Sequence, residues 1–168
     1  MALSDRLEFE QLVHLVFQGL KPKLEEHSGL AIFARERSKF EGWLKVELCD
    51  VLVRHFEGVL PEVDWVDVTL PDLAIELKTV NTNYRMPGVV NKIRPITKNT
   101  DGVVKDIEKL RMSKFANNAV LFVAFPVDHT NPNWQGQLSR ISKNLRELRH
   151  EAFQFKGGIP GVIYFGRV

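Results

Sequence analysis

Apolar positions first recur at helical spacing over residues 4–20, where Phe9, Leu12, Val13, Val16 and Leu20 share one stripe. Ser4 or Asp5 caps that helix, and Gly19 and Pro22 break the pattern behind it. A short apolar run at 30–33 reads as a strand. Ser38 and Glu41 form an S-x-x-E capping box, which opens a second helix running to about residue 55, with Gly58 and Pro61 behind it. Two strands follow, 63–70 and 73–80, joined by Pro71 and Asp72, a pair suited to a tight turn. Residues 81–100 show no periodicity and read as a long loop. A third helix over about 102–117 turns Val103, Val104, Ile107, Leu110 and Phe115 inward. The uninterrupted apolar run 119–127 has the character of a strand buried on both faces. A fourth helix over about 133–152 carries Leu138, Ile141, Leu145, Leu148 and Ala152 on its stripe, and 161–168 supplies a last strand. Together these elements make an α/β fold, a mixed central β-sheet flanked by helices.

The hairpin brings charged groups together. With Pro71 and Asp72 as a two-residue turn, Leu70 pairs with Leu73, Thr69 with Ala74, Val68 with Ile75 and Asp67 with Glu76. Side chains alternate between faces. Val66, Val68, Leu70, Leu73, Ile75 and Leu77 therefore share an apolar face, while Trp65, Asp67, Thr69, Ala74, Glu76 and Lys78 share the other. Opposed Cβ atoms are roughly 5 Å apart, so Asp67 and Glu76 repel unless a cation lies between them or one is protonated. A divalent ion such as Mg²⁺ suits paired carboxylates. A solvated hairpin face, with Lys78 neutralising one acid, is the plain alternative. Against it, Glu76 and Lys78 interrupt an otherwise apolar strand. The preceding helix also places Glu47 within its apolar stripe of Phe40, Trp43, Leu44, Val51 and Leu52, an expensive position for an unpaired carboxylate. Capping explains Glu41. Asp72, four residues from Glu76 along one strand, sits roughly 13 Å away and is a turn residue rather than a ligand.

Length and composition bound the remaining classes. The 168 residues fit one domain, and 44% hydrophobic against 26% charged residues excludes a disordered chain. The single cysteine, Cys49, excludes an internal disulfide. The five histidines lack zinc spacing, and neither a P-loop nor a dinucleotide fingerprint occurs. No apolar run is long enough to span a bilayer, and the acids near the start do not suit a signal peptide, so a cytoplasmic protein without a membrane partner is expected. Net charge is only +2, but residues 81–100 carry Arg85, Lys92, Arg94 and Lys98 without an acid. That stretch suits a phosphate backbone, with Tyr84 placed to stack on a base. Arg140, Lys143, Arg146 and Arg149 form a second basic group.

A helix bearing an inward Glu, an Asp on one strand and E-x-K on the next resembles the PD-(D/E)XK nuclease superfamily, with its restriction-endonuclease-like core. The resemblance covers roughly residues 38–127. It implies Mg²⁺-dependent hydrolysis of DNA phosphodiester bonds, with Mn²⁺ as a substitute metal. It assigns Asp67, Glu76 and the Leu77 carbonyl to the metal, Lys78 to the attacking water, and Glu47 to an outer shell or second metal. Many such nucleases pair to cut both strands, which makes a homodimer one implied arrangement. The alternative is an inactive nuclease-fold protein serving as a nucleic-acid-binding or assembly module.

Overall fold

The computed structural model describes residues 3–93 and 95–168, with side chains from Glu8 onward. Helices α1 (Leu3–Glu26), α2 (Ser28–Arg35) and α3 (Glu41–Val53) precede strands β1 (Leu60–Val63), β2 (Val66–Leu70) and β3 (Leu73–Asn81). Then come α4 (Ile96–Leu110), β4 (Asn117–Phe125), α5 (Pro132–Ser142), β5 (Glu147–Gln154) and β6 (Pro160–Arg167). The strands form one mixed sheet in the order β1-β2-β3-β4-β6-β5, in which β3 and β4 run parallel and the other neighbours antiparallel.

Side-chain alternation divides the core between the two faces of this sheet. On one, Val68, Ile75, Leu77, Leu121, Val123 and Phe165 meet apolar residues of α1, α2 and α3. On the other, Ala74, Val80, Val120, Phe122 and Tyr164 meet Val103 and Ile107 of α4 and Trp134 and Leu138 of α5. The central strand β4 is covered on both sides, as its continuous apolar run predicts. Fully burying one such side chain contributes roughly 1.5–3 kcal/mol.

Several elements depart from the sequence reading. The run at 30–33 is helical: His27 caps α2 by accepting from the Leu30 N–H at 3.2 Å, and Leu30 and Ala34, one turn apart, are the buried pair. Helix α1 continues through Pro22, and Gly19 lies mid-helix against Val51 of α3, where an added Cβ would stand 2.5 Å from a Val51 methyl. Ser38 and Glu41 form no capping box; the α3 N-cap is Phe40, without a side-chain cap. The helix expected over 133–152 ends at Ser142, and its second half is strand β5, paired along its length with β6. Leu145 and Leu148 pack against the opposite strand at Gly166, a contact their spacing could not distinguish from a helical stripe. The expected loop 81–100 is shorter, because β3 reaches Asn81 and α4 starts at Ile96. Strand β1, which periodicity does not separate from its neighbour, pairs Leu60 with Thr69 and Val63 with Val66. Val66, expected beside Val68, packs instead on the α4 side.

Candidate functional site

The hairpin register is the expected one: Leu70 faces Leu73, Thr69 faces Ala74 and Val68 faces Ile75. Beyond Val68 the side chain of Asp67 takes over, its Oδ2 accepting the Leu77 N–H at 2.9 Å. Its Oδ1 meets Lys45 Nζ of α3 at 2.8 Å. Lys45 also reaches Glu62 at 2.9 Å, and its hydrogen bond to Asp67, ahead of that to Glu62, outweighs burial and raises its pKa to about 12.

Glu76 is 6% exposed, and its Oε1 is buried with no hydrogen-bond partner. It shares a hydrogen bond with Asp67. Burial, that bond and the negative charges of Asp67 and Asp106 push its pKa up to about 8, against the opposing pull of Lys109. Burial also works against the charge on Asp67, but the bonds from Glu76, Lys45 and the Leu77 N–H prevail and hold it below the usual carboxylate range. At neutral pH the proton of the pair therefore resides on Glu76, and Asp67 is the anion.

Lys78, two residues along β3, meets Asp106 of α4 at 2.9 Å. Burial favours its neutral form; the Asp106 pair, with Glu41 and Glu76 beyond it, outweighs burial and raises its pKa. Lys78 is thus an ammonium, able to donate hydrogen bonds and offset negative charge but not to accept a proton. Gly102, one turn before Asp106, leaves room for its stem: a Cβ there would lie 3.3 Å from Lys78 Cε.

Glu47 is not brought to this cluster. It pairs with Lys23 of α1, which also holds Asp50 at 2.6 Å. The buried stripe of α3 is Leu44, Leu48, Val51 and Leu52, with Trp43 peripheral, so Glu47 flanks it rather than interrupting it. Glu41 and Lys45, one turn apart, flank the other side and face the sheet. Glu41 Oε1 accepts from the Thr79 N–H at 3.0 Å and the Thr79 hydroxyl at 3.2 Å. Sequence reasoning missed Glu41, Lys45 and Asp106; the i, i+4 spacing of Glu41 and Lys45 was the available signal. Leu77 meets Asp67 through its N–H, on the β2 side of β3. Asp72 is an exposed turn residue, as expected.

The basic residues are dispersed. Arg37, 1% exposed, donates to the carbonyls of Thr82 and Val90 at 2.8 Å each, and to that of Tyr84. The Val90 N–H bonds the Arg35 carbonyl at 2.8 Å, and Lys92 bonds the Glu36 carbonyl at 3.0 Å. The loop after β3 is therefore tied to the α2–α3 junction. Arg85 is exposed, Tyr84 is half-buried beside the α4 core, and Lys98 is exposed on the first turn of α4. Arg94 lies outside the described residues.

Among the described residues, no three His, Cys, Asp or Glu side chains converge as a metal cluster, and no helix is long and apolar enough to cross a membrane. Compared with protein-family models, curated proteins and solved structures, the chain has no match.

Proposed function

We propose that this protein is a metal-dependent nuclease of the PD-(D/E)XK kind, hydrolysing DNA phosphodiester bonds. The supporting observation is the Asp67–Glu76 pair, in which a buried Glu76 oxygen is left without a partner. A carboxylate pair with an unmet acceptor fits Mg²⁺ or Mn²⁺; Asp67 and Glu76 would hold such an ion, with the Leu77 carbonyl as the further protein ligand that the resemblance implies. When bound, such an ion activates water and offsets phosphate charge.

The chain's own groups then have distinct tasks. Lys45 and the Leu77 N–H hold Asp67 in its anionic form. Glu76 would lose its proton to bulk water where a cation is held. Lys78, freed from Asp106, places its ammonium against the phosphate and orients the attacking water by hydrogen bonding. Glu41 takes the helix position assigned to Glu47, anchored beside Lys78 through Thr79.

The test is incubation with plasmid, linear and single-stranded DNA, with and without Mg²⁺. Wild type is expected to cleave only with metal. Glu76→Ala, Lys78→Ala and Asp67→Asn are expected to lose cleavage by about 10²-fold or more, while Asp72→Asn retains it. Full metal-dependent cleavage by Glu76→Ala or Lys78→Ala would rule out this site. The second reading, an inactive nucleic-acid-binding or assembly module, draws support from the Lys78–Asp106 ion pair and from the absence of a third converging ligand among the described residues. It predicts DNA binding without cleavage under every metal condition.

A further inference from the structure

A cavity of about 330 Å³, the space of roughly ten waters, opens where the C-terminal ends of α4 and α5 meet the start of β4 and the end of β6. Arg111, Lys143, Arg146 and Arg167 line it, with Asn117 and Asn144 between them, and no Asp or Glu is among its lining residues. Its walls are joined by backbone. The Arg146 N–H bonds the Arg167 carbonyl at 2.9 Å, the Val168 N–H bonds the Asn118 carbonyl at 2.9 Å, and Arg111 donates to the Asn144 carbonyl at 2.5 Å.

Helix dipoles account for part of this charge, since Arg111 and Lys143 are the C-cap residues of α4 and α5. They do not account for Arg146, or for the convergence of four cations on one concavity. Among the described residues, Arg111, Lys143 and Arg146 have no carboxylate at ion-pair distance, whereas Arg140 and Arg149 nearby are each neutralised by acids. Guanidinium groups without acidic partners, facing a polar concavity, suit phosphate oxygens.

The position is also informative. Glu76 lies opposite Val120 in the β3–β4 ladder, and Asn117 precedes Val120 by three residues, about 10 Å along the strand. Along α4, Arg111 follows Asp106 by five residues, about 7.5 Å of rise. These separations match two to three nucleotides of one strand at about 3.4 Å each. The cavity and Glu76 lie on the same side of the sheet, the side covered by α4 and α5.

We infer that this cavity binds backbone phosphates of the nucleic acid a few nucleotides from the Asp67–Glu76–Lys78 cluster, as a second anchor. The inference rests on the reading that nucleic acid is the partner, but not on cleavage. Fluorescence anisotropy of a labelled single strand and a labelled duplex, in EDTA and across a salt series, provides the test. The double variant Lys143→Ala/Arg146→Ala alters exposed side chains, and circular dichroism checks that it remains folded. Its log–log salt slope is expected to be smaller in magnitude than that of wild type by about 1.4 on the single strand and about 1.8 on the duplex. Lys21→Ala/Lys156→Ala, away from the cavity, is expected to leave the slope unchanged. An equal change in both double variants would overturn the assignment, as would an unchanged slope in the first. If inorganic phosphate or pyrophosphate raises the Tm of wild type but not of the cavity variant, while the nucleic-acid slope stays the same, the cavity takes a free phosphorylated ligand and the inference fails. Parallel incubation with Mg²⁺ separates the two readings. A reduced slope without cleavage by wild type removes the catalytic reading and keeps this one; cleavage with an unchanged slope does the reverse.

Discussion

Glu41, Lys45 and Glu47 stand within two turns of α3 and serve opposite sides of it. Lys45 holds Asp67 and Glu41 holds Thr79, while Glu47 turns away to Lys23. Glu41→Gln preserves an acceptor for Thr79 and should remain folded, yet cleavage is expected to fall about 10²-fold in a metal-dependent assay. Glu47→Gln should cleave within about twofold of wild type and lose at most ~1 kcal/mol of stability by urea unfolding, as for a partly exposed ion pair. The protonated Glu76 carries a second consequence. It holds its proton to about 8 in the folded chain, against an ordinary value of 4.5. The unfolded chain releases that proton first, so the metal-free protein loses stability as pH rises from about 4.5 to 8 and levels off above. In EDTA, the Tm of wild type is expected to fall across that interval relative to Glu76→Gln, by about 2–4 °C for each kcal/mol lost. Parallel Tm curves for the two proteins would show that Glu76 is not protonated in the folded state.

Close approach of α1 to α3 depends on Gly19, because a Cβ there would enter the Val51 side chain. This contact helps set α3, and with it Glu41 and Lys45, against the sheet. Gly19→Ala is expected to destabilise the protein by about 1–3 kcal/mol in denaturant melts, since overcrowding outweighs the helix-propensity gain. Val51→Ala in the same chain should restore part of that loss, and additive costs for the two changes would refute the contact. At the other end of the cluster, Arg37 fixes the loop after β3 through three backbone carbonyls. The loop spans residues 82–95, trimmed at its ends by β3 and α4 and otherwise the long connection its lack of periodicity suggested.

Across the molecule, positive charge is local rather than global. Net charge is +2, and many cations are neutralised by acids, including Lys23, Lys45 and Arg149. Lys92 is engaged with Glu36, so among the described residues of the basic stretch Arg85 and Lys98 are the exposed cations without an acidic partner. Arg85→Ala/Lys98→Ala should therefore reduce the salt slope of duplex binding by about 1.8, whereas Lys92→Ala should change it less than either single substitution of that pair. Anisotropy titrations at several salt concentrations measure both.

Local pattern was sufficient wherever one buried surface dictated it. The alternation across Pro71 and Asp72 specified the hairpin register as far as Val68 and Ile75, and the location of Lys78, because a one-residue slip would reverse every side chain; Asp67 meets β3 beyond that regular ladder. The apolar run through Ala119 and Phe125 specified a central strand for the same reason. Long-range pairing decided the rest. Residues 147–154 satisfy a helical stripe equally well, and only the hydrogen bonds to β6 make them a strand. The rotation of α3 about its axis depends on where α1 and the sheet lie, and a shift in the assumed stripe exchanged Glu47 for Glu41. Asp106 became a partner of Lys78 only when α4 packed over β3, and the four cations of the cavity come from three elements distant in sequence and the turn before β5. Charged side chains at the edge of an apolar stripe contribute little to periodicity, so the tertiary packing decides which neighbour each one meets.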